Sequence, residues 1–316
     1  METPNQRAIP TIILTGFLGV GKTTLLNRLI EHYQSQRTVL LINEFGQIGI
    51  DGELLVQGNY DKIELNKGSL FCICVRTDFI FEVERIANEL KPELLIIEAT
   101  GLADTTEMEK MLALPKLHQM IHLKACLCLV DCQNFLKIRE FLNAPDSQVR
   151  NADLVLMNKT DLVSEGQIEQ IGAVVHKIAP TVPLLRTQYA NFPLTMLDEL
   201  RRPDIEVRGD PGEGRPDPVA SITLEATGSF TYESWERFTE SIKKHLLRFK
   251  GFFVLEEHVW HVEATTASWL QTPADESIEA INRLVLIGQR FKEDQVQALF
   301  HECVDDETPS TVTEER

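Results

Sequence analysis

Gly16-Phe17-Leu18-Gly19-Val20-Gly21-Lys22-Thr23 decides how this chain is read. The spacing is G-x-x-x-x-G-K-T. Glycines let the backbone curl until successive N–H groups converge, and such a nest takes up phosphate oxygens. The flanks supply the context this loop requires. Pro10–Leu14 before it reads as an apolar strand, and Lys22–Tyr33 after it as a helix. The positive end of that helix adds to the attraction for an anion. Gly16, Gly19, Val20, Gly21, Lys22, Thr23 and Thr24 are therefore the expected phosphate contacts. Lys22 would reach the β- and γ-phosphates, and the Thr23 hydroxyl would bind Mg²⁺. A glycine-rich turn with no ligand is the bland alternative, and the strand and helix on either side argue against it.

Outward from this loop, the first two hundred residues alternate short apolar runs with helical patterns. Thr38–Ile42, Leu94–Ile97, Leu123–Val130, Leu154–Met157 and Val182–Leu185 read as strands. Asp78–Leu90 reads as a helix, with Phe79, Val83, Ile86 and Leu90 at helical spacing, and Ile168, Ile171 and Val175 mark another. Strands without polar alternation, separated by helices, imply a parallel sheet covered on both faces. The fold class expected is α/β, a doubly wound, mostly parallel sheet, followed by a smaller α+β domain. Length agrees: 316 residues against ~150 per domain suggests two.

The rhythm breaks at RRPDIEVRGDPGEGRPDP, residues 201–218, which is rich in Pro, Gly and charge. It reads as a linker or surface loop. Beyond it, Ser221–Ala226 is an expected strand and Trp235–Phe249 an amphipathic helix opening near Thr231. Gly251–Leu255, Val259–Ala264 and Arg283–Ile287 are expected strands, and Phe291–Phe300 a helix. That order, β-α-β-β-β-α, suggests an antiparallel sheet. The expected boundaries are a nucleotide domain at 1–203, a linker at 204–218, a C-terminal domain at 219–304 and a disordered tail at 305–316.

Two further motifs point at the ligand. Asn158-Lys159-Thr160-Asp161 follows a strand. The Asp161 carboxylate can accept both N–H groups of guanine's N1/N2 edge, which adenine does not offer, and a site built to hydrogen-bond a group rejects an analogue lacking it. Asn158 can bind the N7/O6 edge or hold the loop's shape, and the Lys159 stem can lie over the base plane. Leu94-Leu95-Ile96-Ile97-Glu98 ends an apolar strand in an acid, which in phosphate-loop proteins supports Mg²⁺. Gly101 follows, and its N–H could sense a γ-phosphate because glycine permits close backbone approach. Asn43-Glu44-Phe45-Gly46 sits at the carboxyl end of Thr38–Ile42, where ligands of such sheets bind. Glu44 there is either a water- or metal-orienting group or part of a solvated loop. Lys22, Glu98 and Glu44 are the candidate catalytic residues.

Charge excludes other partners. Lys+Arg number 31 and Asp+Glu 48, a net charge of −17. Such a surface repels a nucleic-acid backbone but not a nucleotide held by backbone amides. No apolar run approaches the ~20 residues that span a bilayer. The first ten residues, METPNQRAIP, lack a signal-peptide pattern, so no membrane partner and a cytoplasmic location are expected. Reduced thiols are then the default for the six cysteines. Cys126 and Cys128 read as packing residues. Cys72-Ile73-Cys74, placed just before the helix at Asp78, is either a pair of soft-metal ligands or two small hydrophobes.

Together these residues resemble the CobW-type family of P-loop GTPases, of the same broad class as urease and hydrogenase accessory GTPases. GFLGVGKTTLLNRL, NEFG-x-x-GID, LLIIEATGLAD and NKTD fall in the family's order, and RFKGFF at 248–253 and RLVLIGQ at 283–289 resemble its second domain. The resemblance implies a GTPase that delivers zinc or cobalt to a client metalloprotein. GTP and Mg²⁺ would be its cofactors and Zn²⁺ a cargo, with Cys72 at a motif position and Cys74 a ligand only in a rearranged site. Lys22 and Thr23 would touch phosphate and Mg²⁺, Glu98 would be the second acid, and Asn158, Lys159 and Asp161 would meet guanine. Related GTPases often dimerise across the nucleotide face, so a homodimer is an expectation. The chain departs from the family's G-C-x-C-C motif. It reads Gly68-Ser69-Leu70-Phe71-Cys72-Ile73-Cys74, and only Cys72 keeps a motif position. The 201–218 stretch also lacks the histidine-rich run of many members. A GTP-gated binding protein without metal cargo is therefore the second reading, and a small-molecule kinase a weaker third.

Overall fold

The computed structural model describes residues 8–43, 58, 60–65, 73–101, 105–140, 142–200, 202, 219–265, 268–275, 278–289 and 291–304, with only the backbone given for Asn43, Glu64 and residues 73–76. The chain forms two compact units, Met1–Asp217 and Pro218–Arg316.

The first unit is built on a seven-stranded sheet. Its elements run β1 (Ile9–Gly16), α1 (Lys22–His32), β2 (Thr38–Asn43), β3 (Tyr60–Leu65), α2 (Ile73–Arg85), β4 (Leu94–Glu98), α3 (Thr105–Leu112) and α4 (Pro115–His118). They continue as β5 (Ile121–Asp131), α5 (Phe135–Ile138), α6 (Ala144–Arg150), β6 (Leu154–Asn158), α7 (Glu165–Ile178), β7 (Leu184–Arg186) and α8 (Met196–Glu199). The spatial order is β3-β2-β4-β1-β5-β6-β7, and every neighbouring pair is parallel. Both faces are covered, as an all-parallel sheet requires. On one face Phe79, Val83, Ile86, Met108 and Leu112 pack on Ile13, Val39, Leu41, Leu95 and Ile97. Further along it, Val149, Ile168, Ile171 and Val175 pack on Cys128, Val130, Val155 and Met157. The alternate strand residues Ile12, Leu14, Leu40 and Ile96 are buried too, as are Leu25, Leu26 and Leu29 of α1.

β3 is an element the apolar-run reading missed. YDKIEL alternates polar and apolar residues because, among the described residues, this strand lies at the sheet edge, bonded only to β2. α2 begins at Ile73, not at Asp78, so Cys74 sits within the helix and not in a loop before it. Cys72 lies outside the described residues. Cys126 and Cys128 are packing residues of β5, both 1% exposed or less, and burial pushes the Cys128 thiol up to about 12.

The second unit is a five-stranded antiparallel sheet with two helices. Its elements are β8 (Val219–Ala226), α9 (Tyr232–Lys243), β9 (Leu246–Leu255), β10 (His258–Thr265), β11 (Trp269–Pro273), β12 (Asn282–Gln289) and α10 (Glu293–Val304). The strand order is β11-β10-β9-β12-β8. The element order is therefore β-α-β-β-β-β-α, one strand more than expected. β11 escaped notice because WLQTP is a short, largely exposed edge. The expected helix over Trp235–Phe249 ends at Lys243, and Leu246–Leu255 is a central strand between β10 and β12. Leu246 and Phe249 keep a helical spacing from Trp235, Phe238 and Ile242, and all five share one core. The hydrophobic spacing fits either element, and cross-strand pairing on both sides decides for the strand.

Arg202 stands at the start of the Pro- and charge-rich stretch yet lies within the expected 1–203 domain. Its side chain is 1% exposed and pairs with Glu109 at 3.0 Å and Asp153 at 3.1 Å. It belongs to the first unit's interior.

Candidate nucleotide site

The site lies at the carboxyl ends of β1, β4, β5 and β6, where the strands hand over to loops. β1 ends at Gly16 and α1 begins at Lys22. Gly21 caps that helix at φ 105°, in the left-handed region that favours glycine. A Cβ there would stand 2.7 Å from the Asn158 amide nitrogen. The P-loop glycine and the NKTD asparagine are thus packed together. Lys22 is 7% exposed, and its Nζ donates to the carbonyls of Gly16 at 3.0 Å and Phe17 at 3.2 Å. The head thus folds back onto the first two carbonyls of its own loop. Thr23 is half-buried and Thr24 exposed.

Asn158 is a brace. Its Nδ2 donates to the Val20 carbonyl at 2.9 Å. Its Oδ1 accepts from the Ala190 N–H at 2.9 Å and from the Thr187 hydroxyl at 3.2 Å. These bonds tie the end of β6 to the phosphate loop and to the loop after β7. Lys159 adopts φ 60°, and its Nζ donates to Asp131 Oδ2 at 2.8 Å. Asp161 is exposed, on a short 3₁₀ turn over Thr160–Leu162. Thr160 anchors that turn through its hydroxyl to the Thr187 carbonyl at 3.0 Å.

Sequence reading missed the loop after β7. Tyr189 and Ala190 both have φ 52°. Arg28 holds the loop from α1, donating to the Ala190 and Phe192 carbonyls at 2.5 and 3.3 Å. Successive non-glycine residues at positive φ persist only where the surroundings over-determine them. Thr187-Gln188-Tyr189-Ala190 carries no glycine, so composition gave no signal. Asp131, at the end of an apolar run, was the one legible hint of a third loop at this edge.

Glu98 ends β4, 9% exposed. The Gly101 backbone comes against the P-loop: a Cβ on it would meet the Leu18 nitrogen at 2.6 Å. Gln148 donates to the Gly101 carbonyl at 3.1 Å. Between these two, the buried Thr100 hydroxyl has no hydrogen-bond partner among the described residues. A buried hydroxyl is normally satisfied. This one lies two residues beyond Glu98, at the end of β4. Oxygen donors and a nest of amides fit a hydrated Mg²⁺ and a phosphate chain. Glu44 and Cys72 lie outside the described residues, as does the side chain of Cys74, and among the described residues no group of three metal-binding side chains occurs.

Residues 10–186 match the family described as CobW/HypB/UreG, nucleotide-binding domain, and residues 219–304 match the cobalamin synthesis protein CobW C-terminal domain. The chain belongs to the CobW/HypB/UreG family. Its two motif-bearing segments, the P-loop and NKTD, fall within the matched nucleotide-binding domain. The zinc chaperone YeiR of Escherichia coli is 34% identical over 155 residues, 48% of this chain and 46% of that protein. The zinc chaperone CobW of Pseudomonas aeruginosa is 26% identical over 286 residues, 77% of this chain and 76% of its own length. The zinc-regulated GTPase metalloprotein activator 1 of Dictyostelium discoideum is 27% identical over 224 residues, 59% of this chain and 47% of that one. The chain spans about half the length of several curated relatives it matches. Among solved structures, that of the Zn(II)-bound YjiA GTPase from E. coli has 19% identity and a TM-score of 0.47, covering 94% of this chain and 99% of that one. As a member of the CobW/HypB/UreG family the chain carries a nucleotide-binding domain and a CobW-type C-terminal domain. Among the described residues, no helix is long and apolar enough to cross a membrane.

Proposed function

We propose that this chain is a Mg²⁺-dependent GTP-hydrolysing switch that couples its nucleotide state to delivery of zinc, or cobalt, to a client protein. The observation that carries the reading is the packing of Gly21 against Asn158, which brings the phosphate loop and the guanine motif to one edge of one sheet. Family membership supports it, and so do the names of relatives called zinc chaperones and a GTPase metalloprotein activator.

The chain's residues have clear parts in this reading. The loop amides bind the phosphates. Lys22 exchanges its bonds to Gly16 and Phe17 for phosphate oxygens. Asp161 reads the guanine edge, and Asn158 keeps the two loops in register. Thr23 and Glu98 would hold Mg²⁺, which when bound neutralises charge on the β- and γ-phosphates. Gly101, packed on Leu18, would meet the γ-phosphate through its N–H.

Two assays test the reading. The first is phosphate release from GTP by the full chain, with and without Mg²⁺. The second is zinc affinity by chelator competition under Mg²⁺GTP and then Mg²⁺GDP, on wild type and Cys72→Ser. Mg²⁺-dependent release, with tight zinc binding that needs Cys72 and differs between the nucleotides, is the expected outcome. GTP binding without zinc binding in either state supports a second reading, a GTP-gated client-binding protein without metal. The placement of Cys74 inside α2 and the departure from G-C-x-C-C favour that second reading more than in a typical member.

A further inference from the structure

We infer that Asp131 is a positioning residue for base recognition, acting through Lys159. The inference rests on the guanine reading of NKTD and adds a third loop to that site. Asp131 is the last residue of β5 and pairs in register with Asn158, the last residue of β6. Its carboxylate is buried at 3% exposure, where an acid is retained only if its oxygens are occupied. Oδ1 accepts the Gln133 N–H at 2.8 Å, and Oδ2 accepts the Asn134 amide at 3.0 Å. These two bonds come from its own turn and fix the direction of the carboxylate. The remaining partner is Lys159 Nζ, at 2.8 Å from Oδ2. A backbone bond from the Cys132 N–H to the Asn158 carbonyl, at 3.1 Å, ties the same two turns again.

Lys159 needs such a hold. It is a non-glycine residue at φ 60° and ψ 36°, a conformation that persists where the surroundings impose it. A free lysine also has many rotamers to lose. With Nζ anchored on Asp131, the four-carbon stem is fixed in place, running from the end of β6 toward the end of β5. Its charge is compensated there, so the stem offers an apolar wall beside the Asp161 turn. A purine lying on that wall presents its edge to Asp161. The phosphates, held at the P-loop, gain nothing from this arrangement. The contribution of Asp131 therefore belongs to the base and is the same for GDP and GTP.

The test is a double-mutant cycle on the full chain. GDP affinity is measured by calorimetry for wild type, Asp131→Asn, Lys159→Met and the double variant. Competition by inorganic pyrophosphate, which has no base, is measured on all four. We expect each single substitution to weaken GDP about tenfold, the double variant to bind as Lys159→Met does, and pyrophosphate to compete equally throughout. Wild-type affinity for GDP in Asp131→Asn overturns the inference, as do losses that multiply in the double variant or a parallel loss of pyrophosphate binding. If wild type binds pyrophosphate but shows no preference for GDP over ADP, the guanine reading itself falls and takes the inference with it. Guanine preference with an inert Asp131→Asn removes the inference alone.

Discussion

Single residues at this site do two jobs that sequence runs together. Asp161 is exposed at a turn, and Lys22 bonds back to the carbonyls of its own loop. Asn158 is different, because both ends of its amide are spent on protein partners, in the phosphate loop and in the loop after β7. Its removal leaves the Val20 carbonyl and the Ala190 N–H without that partner, and each buried orphan costs about 1–3 kcal/mol. Asn158→Ala is therefore expected to lower unfolding stability by about 2–4 kcal/mol, as well as weakening nucleotide. Urea denaturation of the nucleotide-free chain checks this; unchanged stability would mean the amide serves the base alone. The sequence made Asn158 visible through its motif, but its partners at Thr187 and Ala190 lie some thirty residues away along the chain. They carry no recognisable pattern, so only folding brought them into view.

At the scale of elements, patterns of spacing placed the strands of the first sheet well. Buried parallel strands are apolar throughout and stand out from their surroundings. Edges and half-covered strands stood out less, as β3 and β11 show. β10 illustrates the consequence for chemistry. His261 stands on it opposite Phe252 of β9. Burial first, and then Lys250, hold the His261 imidazole below its usual value of 6.5, with Glu263 pulling the other way. Folding thus favours the neutral ring. That contribution is complete above the unfolded value near 6.5 and declines as pH falls through it, levelling off once the lower folded value is passed. His261→Gln is expected to flatten the stability profile on the acid side of pH 6.5. Denaturant midpoints at several pH values would show it, and an unchanged slope in the variant would assign the acid sensitivity elsewhere.

Across the whole molecule, the two units have separate cores, each closed by its own helices. The first is sealed at its far end by Arg202, whose guanidinium bonds to Glu109 of α3 and to Asp153 ahead of β6. Truncating it leaves two acids facing each other in a buried place. Breaking a buried ion pair from one side costs about 3–5 kcal/mol. Arg202→Met is expected to destabilise the first unit by that order, measured as an early transition in thermal unfolding; a single unshifted transition would contradict it. Local sequence was enough for the doubly wound class and the family. Each rests on local residues at fixed spacing, or on strands buried on both faces. Tertiary structure alone decided the rest: that Asn158 ties the phosphate loop to the loop after β7, that Asp131 holds Lys159, that Arg202 is core and that β9 is a strand. Those outcomes depend on pairing between distant segments, where the partner's geometry, and not the residue's own neighbours, sets which conformation has the lowest free energy.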